Sequence, residues 1–292
     1  MIWDRKHSLF GGARIADCGA GSEAGAPILQ LEDLHISYGH SEAVRGISLE
    51  VGKGEILGIV GESGSGKSTV QKSVCGLLGS NGSIDSGRIV FEGRDITNLP
   101  KKELTSLRGS GIAYIFQDPT ASLDPLFTIK NQFDECIRTH RDMNNEQMLE
   151  LEVGLLAEMG FDDPVRVLSL RPFNLSGGMC QRVVLAMGLA CGPKLLLADE
   201  PTSALDTAAQ MQVVESMMRL RDEHGVSIMI VSHNIGLVAK MADRIGVMRD
   251  GELLEMGSRD EVLHHPKHSY TRELISAVPK IEGGARDASR SR

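Results

Sequence analysis

Apolar and polar positions along this chain change period several times, and each change marks an element. Ile28-Leu-Gln-Leu-Glu-Asp-Leu-His-Ile-Ser-Tyr38 alternates partially and predicts a strand. Ile47, Leu49 and Val51 alternate with polar neighbours, and Gly52-Lys53-Gly54 supplies a turn. Ile56-Leu-Gly-Ile-Val60 is a continuous apolar run, the mark of a buried strand, and it leads straight into a glycine-rich segment. A helix is predicted to follow from Lys67 to about Leu78. Gly87–Gly93 and Ile112–Phe116 read as further strands.

The texture changes after Pro125. Met148, Leu151, Leu155 and Met159 recur at helical spacing, and Gly160 ends that helix. Residues 126–175 are therefore predicted to form a small helical subdomain inserted between strands. Strand and helix patterns then alternate again. Leu195–Ala198 and Ile228–Val231 are apolar runs of the kind a two-sided parallel sheet buries. Arg244–Met248 and Glu252–Met256 flank Asp250-Gly251, a strong hairpin turn. Residues 1–27, rich in Gly, Ala and Ser and without period, predict a disordered tail.

Composition narrows the function classes. The 292 residues suffice for one large domain with a nested subdomain. Net charge is −8, with 31 basic and 39 acidic residues spread along the chain, which argues against nucleic acid as a partner. The five cysteines form no C-x-x-C pair, so neither a disulfide framework nor a zinc site is expected, and a reducing cytosol fits best. Cys75 and Cys191 read as small buried side chains of helices. No run approaches the roughly 18 apolar residues that span a bilayer, and no apolar stretch follows the charged N-terminus as in a secretory signal. Any membrane role is expected to come through a partner.

Three segments carry the chemistry. Gly61-Glu62-Ser63-Gly64-Ser65-Gly66-Lys67-Ser68 matches G-x-x-x-x-G-K-[ST], between a predicted strand and a predicted helix. Such glycines let backbone N–H groups turn in around phosphates, and the helix start adds its dipole. Lys67 is expected at the β- and γ-phosphates, Ser68 on Mg²⁺, and Thr69 among the nucleotide contacts. Asp199 closes an apolar strand and is expected to reach the metal. Glu200 follows it as the candidate base for an attacking water. In Leu175-Ser176-Gly177-Gly178-Met179, Ser176 can cap a helix whose glycine-bearing first turn accepts an anion. One phosphate loop already serves this chain's nucleotide, so a second anion-ready helix start calls for another explanation.

At this point the chain resembles the ATP-binding cassette (ABC) ATPases, whose signature is L-S-G-G-Q or a close variant, over residues 28–257. The resemblance implies an α/β P-loop NTPase fold, with a nested helical subdomain and an antiparallel β portion. It also implies a dimer in which each subunit's Ser176, Gly177 and Gly178 close over the ATP held by the other. By matching positions, Gln117 resembles the glutamine that senses magnesium and water. His233 resembles the switch histidine near the γ-phosphate, and Asp206 the interface loop. Tyr38 resembles the aromatic that stacks on adenine. ATP and Mg²⁺ are the implied cofactors.

Finer likeness points to the peptide/nickel importer branch. It rests on Arg108–Pro125, Ser176–Arg182 and the tail Pro266-Lys-His-Ser-Tyr-Thr-Arg272. Cys180 stands where arginine is more usual, and Ser269 where proline is. No cysteine follows Cys191, so residues 258–292 read as that branch's C-terminal extension without its iron–sulfur motif.

The implied partners are two permease subunits, a second ATPase subunit and an extracellular or periplasmic solute-binding protein, at the cytoplasmic face of the cell membrane. A heterodimer of ATPases is favoured over a homodimer. The solute, whether dipeptide, oligopeptide, nickel or other, is left open. A non-transport ABC ATPase acting on nucleic acid or ribosomes, and an ABC exporter ATPase, are the alternatives. His264, His265 and His268 read as a polar surface helix end rather than a metal site.

Overall fold

The computed structural model describes residues 25–203 and 205–277. Of the predicted tail, residues 1–24 lie outside the described residues, as does the chain after Ala277. The first part of the chain forms β1 (Leu29–Tyr38), β2 (Ser41–Val51), β3 (Ile56–Val60), α1 (Lys67–Val74), β4 (Gly82–Phe91), β5 (Arg94–Asp95), α2 (Lys101–Leu107) and β6 (Ile112–Ile115). A helical stretch follows: α3 (Ile129–His140), α4 (Asn145–Glu158), α5 (Pro164–Ser169) and a 3-10 turn at Pro172–Asn174. Next come α6 (Gly177–Ala190), β7 (Leu195–Asp199), α7 (Thr207–His224), β8 (Ser227–Ser232) and α8 (Ile235–Val238). The remaining described elements are β9 (Arg244–Arg249), β10 (Glu252–Ser258), α9 (Arg259–His264) and α10 (Ser269–Ser276).

Two sheets result. One is antiparallel, in the order β2-β1-β4-β5. The other runs β10-β9-β3-β8-β7-β6, parallel throughout except for the β9–β10 hairpin at its edge. The central strands are buried on both faces, as their unbroken apolar runs require. Ile56, Leu196, Ala198, Ile228 and Ile230 point into a core shared with α3, α4, α6, α7 and α8. Their neighbours Leu57, Ile59, Leu195, Leu197, Met229 and Val231 point into a second core, closed by α1 and the antiparallel sheet. Among the described residues, no helix is long and apolar enough to cross a membrane.

Three boundaries differ clearly from the sequence expectation, the first being β4, expected over Gly87–Gly93 but running from Gly82 to Phe91. The helix from Lys67 stops at Val74, not near Leu78. Gly76, at φ 61°, donates to Ser73 O, and Leu77 donates to Lys72 O at 2.8 Å, so the chain turns through a left-handed C-terminal cap. Strand β2 begins at Ser41, earlier than its alternation shows. Leu34 pairs with Ile47 and Ile36 with Val44, so a bulge breaks the two-residue period between Val44 and Ile47. The helical prediction for Met148–Met159 matches α4. Cys75 and Cys191 are buried as expected, each one residue past its helix.

Candidate active site

Parallel register puts the ends of the central strands level. Val60 pairs with Ser232, Asp199 with Val231, and Ile115 with Ala198. The segments leaving these ends carry the phosphate loop, Asp199-Glu200, His233 and Gln117, at the sheet edge where open α/β folds take ligands. They border a cleft of about 670 Å³. Tyr38, Ser63, Gly64, Gly66, Lys67, Ser68, Thr69, Gln117, Glu200 and His233 all line it. Ala43 and Ser203 line it too, without a signal that marked them in advance.

The loop is wound tightly enough to dictate its residues. A Cβ on Gly61 would lie 2.0 Å from Met248 O, so only glycine fits there. Lys67 is buried, and its ammonium donates to Gly61 O at 2.9 Å and Glu62 O at 2.7 Å. It also lies 3.3 Å from Ser65 Oγ. Burial lowers the pKa of Lys67, while Glu200, Asp199 and Glu62 pull it back up. Glu62 and Ser65 shape the loop in this way without lining the cleft.

Asp199 is gripped at both oxygens. Ser68 Oγ donates to Oδ1 at 2.6 Å, and the Tyr114 hydroxyl donates to Oδ2 at 2.8 Å. Burial, and then the Asp199 charge, raise the Tyr114 pKa far enough to keep the phenol a neutral donor. Glu200 has φ 44°, a costly conformation for a non-glycine residue, of order 1–3 kcal/mol. Its N–H donates to Val231 O at 3.0 Å, and its carbonyl accepts from Ser203 N at 3.2 Å, which holds the turn. The side chain is thereby aimed into the cleft. His233 Nδ1 lies 3.0 Å from Glu200 Oε2, and Gln117 Nε2 lies 3.4 Å from the same atom. A carboxylate so placed can accept a proton, and an imidazole beside it can orient what it acts on.

Ser176, Gly177, Gly178 and Asp206 are not part of this cleft. Ser176 caps α6, accepting from Met179 N at 3.3 Å, and Asp206 caps α7, accepting from Ala209 N at 2.9 Å. The two helix starts touch: a Cβ on Gly178 would come within 2.9 Å of Ala209 Cβ. Each chain therefore presents a cleft and, apart from it, a paired set of helix N-termini. His268 caps α10, its Nδ1 accepting from Tyr270 N at 3.2 Å. The tail histidines make no metal-like cluster among the described residues.

Three functional side chains escaped the sequence reading. Tyr114 braces Asp199. Gln71, fully buried in α1, donates to Ala198 O at 3.3 Å and Met229 O at 2.7 Å, tying the phosphate-loop helix to β7 and β8. Tyr270 accepts from Glu62 N at 3.1 Å. Tyr114 lies within the apolar run Ile112–Phe116, Gln71 and Tyr270 among polar neighbours, and in each case burial obliges the polar group to find a partner.

The comparisons agree with this geometry. The family model "ABC transporter" matches residues 44–203, and "Oligopeptide/dipeptide transporter, C-terminal region" matches residues 254–292. The chain belongs to the ABC transporter ATPases, P-loop enzymes that hydrolyse ATP. Among its relatives is the dipeptide transport ATP-binding protein DppD of Bacillus subtilis, 39% identical over 87% of this chain and 78% of its own length. The oligopeptide transport ATP-binding protein OppD of Bacillus subtilis is 40% identical over 89% and 74%. An ABC cassette dimer in a post-hydrolysis state with ADP and phosphate superposes at TM-score 0.70 and 28% identity, covering 79% of this chain and 98% of that one.

Proposed function

We propose that this chain is the ATP-hydrolysing subunit of an importer that takes up peptides or a related small solute through partner permeases. The observation that carries the reading is the pairing of the cleft around Glu200 with the oligopeptide/dipeptide-type C-terminal match over residues 254–292. In this account Tyr38 stacks on adenine, and the N-terminus of α1 with Lys67 receives the phosphates. Ser68 Oγ, the Asp199 carboxylate and the Gln117 amide are hard oxygen donors suited to Mg²⁺, which supplies charge neutralisation at the phosphates. Glu200 takes the proton of the attacking water, and His233 orients it. Ser176, Gly177, Gly178 and Asp206 complete the site of a second ATPase subunit, one distinct from this chain.

The helices between β6 and β7 carry the motion to the permeases. Leu126, Phe127 and Phe173 are exposed at 76%, 53% and 69%, unusual for large apolar side chains close together on a folded surface. They belong to neighbouring backbone: Arg171 Nε donates to Leu126 O at 3.3 Å, and Ile129 N to Leu170 O at 2.9 Å. Gln132 ties the turn down by donating to Asp124 O at 3.0 Å and Phe127 O at 3.3 Å. This patch fits a docking face for the permeases at the cytoplasmic side of the membrane, with a solute-binding protein on the other side.

The test is uptake. Disrupting this chain in its host should abolish import of labelled di- or oligopeptide, and restoring it should recover import. Unchanged peptide uptake would contradict the solute class, while loss of ATP-dependent export instead would contradict the direction.

A further inference from the structure

The phosphate loop is held from three directions, and one of them comes from the far end of the chain. Lys67 grips the carbonyls of Gly61 and Glu62 from within. The β9–β10 turn contributes Gly251 N, which donates to Ser65 O at 3.2 Å. The third hold is the Glu62 N–H, which donates to the hydroxyl of Tyr270 on α10 at 3.1 Å.

Tyr270 is itself firmly seated. It is 2% exposed, and the Arg249 guanidinium lies over its ring at 4.7 Å. The start of α10 is anchored to β10 through Glu255. That carboxylate accepts from Lys267 N at 2.8 Å, His268 N at 3.0 Å and Thr271 Oγ1 at 2.6 Å. The phenol oxygen is thus a fixed acceptor presented to the loop by a separate element.

The three holds respond differently to nucleotide. Lys67 has three donors, and each one turned to a phosphate is withdrawn from the loop carbonyls. Tyr270 takes the N–H of Glu62, a residue that does not line the cleft, so its bond does not compete with the ligand. We propose that Tyr270 is a positioning residue for the phosphate loop, fixing Glu62 so that the following N–H groups converge on the β-phosphate. The C-terminal segment is then a working part of the nucleotide site as well as a family marker. This rests on the reading of Gly61–Ser68 as the phosphate loop, and the experiment separates the two.

Tyr270→Phe keeps the ring, its burial and the Arg249 contact, and removes only the acceptor. In the assembled transporter, titration with a fluorescent ATP analogue should show Kd weakened about fivefold, the equivalent of roughly 1 kcal/mol for one hydrogen bond. KM for ATP should rise in step while kcat at saturation stays within about twofold of wild type, a loss of uniform binding. Without nucleotide, Tm should fall by no more than about 2–4 °C, the shift that roughly 1 kcal/mol gives a domain of this size, and the Glu62 amide should exchange its hydrogen faster. Lys67→Ala serves as the reference. If Lys67→Ala weakens binding and Tyr270→Phe does not, the positioning role is overturned. If neither weakens it, the phosphate-loop reading falls and takes this proposal with it. Parallel loss of Tm, Kd and kcat in Tyr270→Phe would also overturn it, since that is the mark of a merely structural residue.

Discussion

Tyr114 and Asp199 meet at 2.8 Å between the neighbouring parallel strands β6 and β7, and this bond fixes the plane of the carboxylate beside Ser68. Outer partners of this kind orient the groups that hold a metal. Tyr114→Phe should therefore raise the Mg²⁺ concentration giving half-maximal activity by roughly tenfold, at the lower end for loss of such a partner. Magnesium titration of ATPase activity, with Mg²⁺-dependent nucleotide binding as a second readout, checks it. An unshifted midpoint would mean that Ser68 alone orients Asp199.

The apolar patch at the turn before α3 gives a separable phenotype. Leu126→Asp or Phe127→Asp should lower solute transport by at least about tenfold, as expected for a charge driven into a buried interface. Nucleotide binding by the same variants should be unchanged, because neither residue lines the cleft. Parallel uptake and binding assays check this. Equal losses in both would make the patch structural.

Glu152 offers a pH test of the helical region. It is fully buried in α4, with Lys130 Nζ 3.4 Å from its carboxylate and Asp134 beside it, and Glu152 Oε1 has no partner. Burial, and then the Asp134 contact, raise its pKa to about 7, while Lys130 pulls it down. The folded state thus binds a proton more tightly than the unfolded chain. That contribution to stability is full below the ordinary carboxylate pKa and is lost as pH rises towards about 7. Tm should fall across that window in the native protein, and Glu152→Gln should flatten the dependence. Equal slopes in both would contradict the assignment.

What the sequence made legible was whatever is local or shared by every member of one face. Gly61–Ser68 announces itself because the turn, the charge and the helix start lie within one short stretch. The runs Ile56–Val60 and Leu195–Ala198 show two-sided burial because every position is apolar. Tyr114, Gln71 and Tyr270 were hidden because their meaning depends on partners 85, 127 or 158, and 208 residues away. The signal was present in weaker form: Tyr114 is a hydroxyl inside the run Ile112–Phe116, which must find a partner once buried. The early start of β2 was obscured by the bulge, which breaks the alternation that reveals strands.

The separation of Ser176 from the cleft bears on the dimer. With a distinct partner ATPase, co-expressing Lys67→Ala and Ser176→Arg forms of this chain should recover no activity, because each complex holds one copy. Mutating the partner's own signature serine should disable the ATP held by Lys67. Recovery in the mixture, absent from either form alone, would instead show pairing of identical chains.

The most direct test of the account concerns Glu200, whose left-handed backbone and contacts to His233 and Gln117 set it over the cleft. Glu200→Gln retains the shape and loses the base. In the assembled transporter, ATP affinity should stay within about twofold of wild type. Single-turnover hydrolysis should fall by at least about 10²-fold, the lower range for a positioned proton acceptor. Hydrolysis at near wild-type rate in that variant would contradict the assignment of Glu200 as the base and the mechanism built on it.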